Sequence, residues 1–476
     1  MYKNMLSGYP IQILSSFIVS LGILSFGLGH LWVAPAVPKL LNNDGNGDDT
    51  PVQISEDEGS WIASMELITL PISSLSTIFL ANHFGTKNVL VFGPAPLVIS
   101  WILIYFAQNV WYFFIARILV GLSEALFYNC GPVYIGEISD PKIRGVMLFL
   151  IPVFFNTGGL LSYYFAYVLS IRTFALLSII PGVLYFVLFI GMPHSPYYFI
   201  IHKKYKDAES TLRFLRGKDY KEGELKLLQE AVETEMQNKV NIKTVLSNQS
   251  YRVSFGIVLM TMSFQQLCGS TAVASYLHYI INESYVTHNT ETVALIVGII
   301  TVCGSLTSTF WIDRKGRRPL ILVSLTASGI LMLLLAVWFT LKDHGFDLRS
   351  YDWLLGTILC VYQFFVNFGI INMSFVLAGE LFSTNTKNYG TSTALIGYGV
   401  FGFITNKIFL FINSALGMSY NFYGFSFFSF LGVLLFYIYL PETRQKTLVE
   451  IQEMLQQKKK KLPKMEMKVV NNESVK

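Results

Sequence analysis

The sequence predicts an all-α membrane protein with twelve transmembrane helices in two pseudo-symmetric six-helix bundles. Three observations carry that expectation: the composition, the number of long apolar runs, and polar signals that recur in each half. The chain has 476 residues, of which 53% are hydrophobic, 15% aromatic and only 14% charged. A soluble chain carries about a quarter of its residues as charges. With a span needing roughly 20 apolar residues, the composition supplies about twelve. A soluble enzyme, a disulfide-rich secreted module and a disordered scaffold are excluded.

In chain order the apolar runs lie near 11–37, 60–81, 89–107, 110–136, 146–168 and 173–192, then 254–280, 292–312, 319–341, 354–379, 391–412 and 422–440. Lipid offers the backbone no hydrogen-bond partner, so each run must cross as a helix. The first follows one lysine and precedes no small-residue cleavage site, so it reads as an uncleaved anchor. The polar stretch 197–250 divides the runs six and six. Within it, Tyr205–Leu215 and Leu225–Met236 place apolar residues at helical spacing and read as short helices. The expected organisation is a first bundle over 1–192, a helical linker over 193–252, a second bundle over 253–442 and a tail over 443–476. Cys130, Cys268, Cys303 and Cys360 fall in apolar runs at no metal-ligand spacing and are expected to be buried small hydrophobes.

Loop charge sets the orientation. An even number of spans puts both termini on one side, which collects 29 Lys and Arg against 17 Asp and Glu. The opposite loops hold only Lys39, Arg172, Lys342 and Arg349, with eleven acidic residues. Both termini are therefore expected to be cytoplasmic, in a multi-pass protein of the plasma membrane. Lys458–Lys461 read as a solvated run that can touch anionic lipid. Asn282-Glu283-Ser284, in an opposite loop, is a glycosylation candidate. Basic residues flank spans and form no domain of their own, so nucleic acid is not an expected partner.

The halves repeat. Asn82-His83-Phe84-Gly85-Thr86-Lys87 follows the second run and Asp313-Arg314-Lys315-Gly316-Arg317-Arg318 the eighth. Glu137 with Arg144 follows the fourth, and Glu380 with Lys387 at the same spacing follows the tenth. Pro193-His194-Ser195-Pro196 follows the sixth and Pro441-Glu442-Thr443-Arg444 the twelfth. Three matches in register argue for a duplicated six-helix unit, an arrangement found in transporters with a site at mid-membrane. Glu137, Arg144, Asp313, Arg314, Arg317, Arg318, Glu380, Lys387 and Glu442 then read as a cytoplasmic gate, whose ion pairs form when that mouth shuts. A glycine allows the tight turn, and arginine forks suit carboxylates at neighbouring helix ends.

Pro132-Val133-Tyr134-Ile135-Gly136-Glu137-Ile138-Ser139 with Arg144-Gly145, together with the Asp313–Arg318 and Pro441–Arg444 sets, resembles the signatures of sugar porters in the major facilitator superfamily. Gln265-Gln266-Leu267-Cys268-Gly269 is similar to that family's seventh-helix motif. The resemblance covers essentially the whole chain. Ser60-Trp61 and Thr405-Asn406-Lys407-Ile408-Phe409 make it most similar to insect facilitated trehalose and hexose transporters. It implies the major facilitator fold, a sugar substrate and a functional monomer. Departures are clear. Asn82, His83 and Thr86 stand where the family has Asp, Arg and Arg; His194 and Tyr197 break Pro-Glu-Ser-Pro-Arg. In the tenth helix Ile371-Asn372-Met373-Ser374-Phe375 replaces Gly-Pro-Ile-Pro-Trp, Thr271 replaces an asparagine, and Gly399 stands for the eleventh-helix tryptophan.

A neutral sugar must exchange its bonds to water for bonds to protein, and amides suit this because each both donates and accepts. Gln265, Gln266, Thr271, Gln363, Asn367 and Asn372 are the substrate-binding candidates, with Phe375 placed to cover the apolar face of a pyranose. Isolated amides in spans more often join helices. For the Gln265/Gln266 pair the ligand role is favoured; for Asn372 both readings stay open. Loss of the two prolines is expected to straighten and stiffen the tenth span.

Glu66, Arg117 and Glu124 form an expected intramembrane charge cluster, with Arg117 and Glu124 two turns apart on one helical face. Structural pairing is placed ahead of proton coupling. Lys407 is expected to snorkel or to meet a carboxylate, while His30 and His278 suggest no partner. No nucleotide loop or metal cluster is present in the sequence, so neither cofactor nor metal is implied and an enzyme is not expected. The reading is facilitative transport of a neutral sugar, hexose or trehalose, by alternating access. The alternatives are a proton-coupled sugar symporter and a non-transporting sugar sensor.

Overall fold

The structure, a computed structural model, describes residues 8–41, 52–140, 142–237, 249–284, 290–382 and 387–442. Among them twelve helical spans are long and apolar enough to cross a membrane. In order they are Tyr9–Leu41, Glu56–Ala81, Thr86–Tyr105, Val110–Ile138, Arg144–Val168 and Ile171–Ile190, then Tyr251–Ser275, Thr292–Ile312, Arg317–Asp343, Trp353–Ala378, Tyr389–Leu416 and Met418–Tyr439. Each lies over one of the expected runs. The acidic run from Asp44 to Asp49, Thr443, Arg444 and Lys458–Lys461 lie outside the described residues, as do the side chains of Asn82, Asp313 and Lys387.

Local chemistry explains the helix ends and breaks. The first span is two helices, Tyr9–Leu31 and Val33–Leu41. The join falls at Trp32, where the Pro35 ring crowds the Leu31 carbonyl and takes away its donor. The second span opens on a capping box, Ser55 N donating to Glu58 Oε2 at 2.8 Å while Glu58 N donates to Ser55 Oγ at 3.3 Å. The short helices expected in the linker are present as Tyr205–Arg216 and Glu224–Gln237. Gln12 Nε2 donates to Leu215 O at 2.6 Å, and Gly8 N to Phe214 O at 3.0 Å. The linker is thus tied to the start of the first span.

Alternation puts the turns at Gly85, Gly316 and the Glu137 and Glu380 helix ends on one face, called the basic end below. Ser55, Asp57 and Lys407 lie toward the opposite, acidic end. Large apolar side chains such as Ile72, Phe79, Phe310 and Phe411 are each about 70% exposed on the outside of the bundle, as a lipid-facing belt requires. This corrects one expectation about the cysteines. Cys130 and Cys268 are buried, but Cys303 is exposed and Cys360 half-buried, because burial in lipid is not burial in protein.

Helices in lipid gain most where their backbones approach closely. The first and fifth spans cross at Gly27 and Gly158, where an added Cβ would stand 2.3 Å from the Phe155 and Leu24 carbonyl oxygens respectively. The two sets of six spans meet chiefly along two seams. The fifth and eighth spans join through Asn156 Nδ2, which donates to Ser305 Oγ at 2.8 Å. The second and eleventh spans join from mid-span to the acidic end, through Gly399 and Gly402 against Leu67 and through Asn406 Nδ2 donating to Ala63 O at 3.2 Å.

Candidate functional site

The charge cluster is built on three spans. Arg117 reaches from the fourth span, its Nε donating to Ile62 O at 2.9 Å and its Nη1 to Gly29 O at 2.7 Å. Its remaining amine contacts Glu66 Oε2 in a pair that is 1% and 0% exposed. His30 Nδ1 meets the other Glu66 oxygen at 2.7 Å. Glu124 completes the set, since single ligand atoms of His30, Glu66 and Glu124 all lie within 4.8 Å of one another. The three expected members come together, and His30 is an addition. Its signal was its type, an ionisable group in a span; its partner lies one span away and no spacing could name it. The donor atoms resemble a cation site, but the Arg117 guanidinium already takes the carboxylate that a divalent ion would need.

One turn beyond Glu124, Tyr128 carries the site across to the other half. Its ring stacks on Phe375 at 5.7 Å between centroids, and Phe375 lies 6.2 Å from Tyr398. Phe155 and Phe26 close the other side of Tyr128 at 6.2 and 5.9 Å. Gln266 Nε2 donates to Tyr398 O at 3.4 Å. Gln265, Gln266 and Thr271 are 1%, 0% and 5% exposed. The seventh span breaks beside them at Gly269, whose φ is +90°, and Ser270 Oγ turns back to donate to Gln265 O at 2.7 Å. The Gln265 side-chain oxygen is buried without a partner. Such an orphan costs about 1–3 kcal/mol unless something bonds it.

The tenth-span candidates face one another more than the space between the halves. Asn367 Nδ2 donates to Gln363 O at 2.9 Å and lies 3.4 Å from Gln363 Oε1; Asn372 Nδ2 donates to Asn367 O at 2.7 Å. The expectation of a straight span is corrected here: Asn367–Ile371 forms a π-helical turn. Widening the turn disrupts the regular ladder. Polar side chains repair it, with Ile370 N donating to Ser324 Oγ at 3.1 Å and Ser374 Oγ donating to Ile370 O at 2.7 Å. Asn372→Ala is expected to cost about 1 kcal/mol of stability and leave substrate affinity unchanged. Thermal unfolding alongside a binding titration measures both; lost affinity at unchanged stability would make Asn372 a ligand contact instead.

At the basic end the second half carries a clamp. Arg317 donates through Nε and Nη2 to Glu380 Oε1 at 3.1 and 2.6 Å, and the Glu442 carboxylate accepts from Arg317 N and Arg318 N, both at 3.1 Å. A carboxylate over the first N–H groups of the ninth span suits the helix dipole. Gly316 makes room: its φ is +91°, and a Cβ there would stand 2.6 Å from Glu442. Arg314 is exposed, and Arg144 Nη2 reaches Ser139 O at 3.4 Å. Glu137 is half-buried at its helix end. In the first half His194 stands where Glu442 would be. Its ring stacks on Tyr198 at 5.4 Å, and burial with the nearby Lys87 charge pushes it down to about 4, so it is neutral at pH 7. Asn282 ends a helix, its Oδ1 accepting from Thr290 Oγ1 at 3.0 Å, while Ser284 is fully buried.

A sequence profile described as "Sugar (and other) transporter" matches residues 16–455. The chain belongs to that family. Members with similar sequences include the facilitated trehalose transporter Tret1 of Bombyx mori, 27% identical over 93% of this chain and 86% of that protein. The Tret1 of Polypedilum vanderplanki is 28% identical over 93% and 87%. Among solved structures, the partially occluded inward open conformation of the xylose transporter XylE from E. coli aligns with a TM-score of 0.74 at 19% identity, over 92% of this chain and 99% of that one. XylE as a proton:xylose symporter bound to 6-bromo-6-deoxy-D-glucose aligns with a TM-score of 0.72 over 93% and 99%. The fold of this sugar transporter family member is therefore the major facilitator fold, as the sequence led us to expect.

Proposed function

We propose that this protein carries a neutral sugar, a hexose or trehalose, down its gradient across the plasma membrane by alternating access, with both termini cytoplasmic and one chain as the working unit. Residues 1–192 and 253–442 are the two moving bundles in this reading, with 193–252 connecting them and 443–476 as tail. The observation that carries it is the Gln265–Gln266–Thr271 set, buried beside the Tyr128, Phe375 and Tyr398 rings where the halves meet. Its amides and hydroxyls can replace a sugar's lost water bonds, and its rings can cover an apolar sugar face. Sequence likeness to facilitated trehalose transporters points the same way. Gln363 and Asn367 support the site from behind, and the Arg317–Glu380–Glu442 clamp sets the cytoplasmic gate.

The test is uptake of radiolabelled glucose, trehalose and a polyol by proteoliposomes. Saturable uptake of at least one is expected, with Gln265→Leu raising its KM about tenfold. Absence of saturable uptake across the panel overturns the reading. A second reading, proton coupling, gains from His30. Two carboxyl groups against one guanidinium leave a negative charge that a dry interior disfavours, and one proton taken up by the cluster would cancel it. Uptake undiminished when the pH gradient is collapsed removes that reading and keeps the first.

A further inference from the structure

The sequence led us to expect that Lys407 snorkels or meets a carboxylate, and placed the ionic gate at the basic end. A charged bridge between the halves lies at the other end. Lys407 Nζ donates to Asp57 Oδ1 at 2.6 Å and to Ser60 Oγ at 2.7 Å, and stands 4.3 Å from the centre of the Trp61 ring. All three partners belong to the first turns of the second span, 346 to 350 positions away in the chain. Lysine offers three donors and a compact charge that an indole face attracts. Two donors and the ring account for its whole head.

We propose that Lys407 with Asp57 is the latch of the acidic mouth, closed in this structure and broken once in every transport cycle. The pair is the outermost rung of the seam between the second and eleventh spans. Beneath it Asn406 Nδ2 bonds Ala63 O, and Gly402 and Gly399 lie against Leu67. Nothing deeper in that seam can part while the rung holds. Its strength also fits the task. Asp57 is 77% exposed and Lys407 22%, so water and salt weaken the bond. A dry ion pair would resist opening, whereas an exposed pair seated on a buried serine and a tryptophan face biases the closed state and still lets go. The capping box at Ser55–Glu58 holds the turn that carries Asp57 in helical form, so Asp57, Ser60 and Trp61 leave Lys407 as one body.

This proposal rests on the alternating-access reading, and its test is chosen to separate the two. Ala63 is 1% exposed under the latch. In the full-length protein carrying Ala63→Cys, labelling by a membrane-impermeant maleimide reports opening of the mouth without any sugar. Asp57→Lys and Lys407→Asp are each expected to raise the labelling rate about fivefold, the equivalent of one exposed ion pair. The charge-swapped double variant is expected to return it to the parent rate. If the reversals fail to fold, Asp57→Asn and Lys407→Met read the same bond. Unchanged labelling in the single variants, or a double variant as fast as the singles, overturns the latch. Labelling that rises and is rescued while no sugar is carried keeps the latch and rejects the transport reading.

Discussion

Arg117→Leu is expected to destabilise the protein by about 3–5 kcal/mol, because it leaves buried carboxyl groups without their counter-charge. The guanidinium has four tasks at once: it pairs with Glu66, sits within two turns of Glu124, and bonds the Ile62 and Gly29 carbonyls. Those carbonyls belong to the second and first spans, so the same side chain joins three helices. With Arg117 gone, Glu66 keeps His30 and has a second acidic group, Glu124, beside it. Thermal unfolding in detergent, followed by size-exclusion recovery, measures the loss. Adding Glu66→Gln to Arg117→Leu should regain much of it, since an amide can bond His30 without carrying charge. A single variant that melts like the parent would mean the cluster contributes nothing to helix packing.

Gly399→Trp is expected to hold the acidic mouth open and cut transport more than tenfold. A Cβ on Gly399 would stand 2.5 Å from the Leu67 carbonyl oxygen and 2.7 Å from Pro71 Cδ. Neither neighbour is a flexible side-chain end, so the second and eleventh spans must separate, and overpacking of this kind costs about 1–3 kcal/mol. Where the resembled family carries a tryptophan, this chain has exchanged ring area for close backbone approach. Because the strain falls only on the closed state, the protein should still fold, with faster maleimide labelling at Ala63→Cys and a lower Vmax. Parent-like Vmax and labelling would show that the seam has room that its geometry denies.

Much of this was legible beforehand. All twelve spans lie where apolar runs place them, and the linker helices sit where helical spacing put them. The Gly316 turn and the Arg317 fork onto a carboxylate follow from the sequence of residue types around them. The candidate site was legible in part. Gln265, Gln266 and Thr271 are buried together, but Asn372 bonds its own helix, and Tyr128, Tyr398 and His30 came only with the fold. The tenth span misled because removing prolines removes one cause of irregularity and not all; Gly369 against Ser324 and the Asn367–Asn372 bond sustain a π turn without them.

The sequence by itself determined the number of spans, their order and their duplicated pattern. Lipid forces every backbone group to find a partner within its own helix, so span count is a property of local composition. Only the tertiary structure decided that Lys407 meets Asp57, that His30 meets Glu66, and that Gly399 touches Leu67. Those contacts depend on the rotation and depth of each helix against its neighbours, which packing sets and no single span encodes.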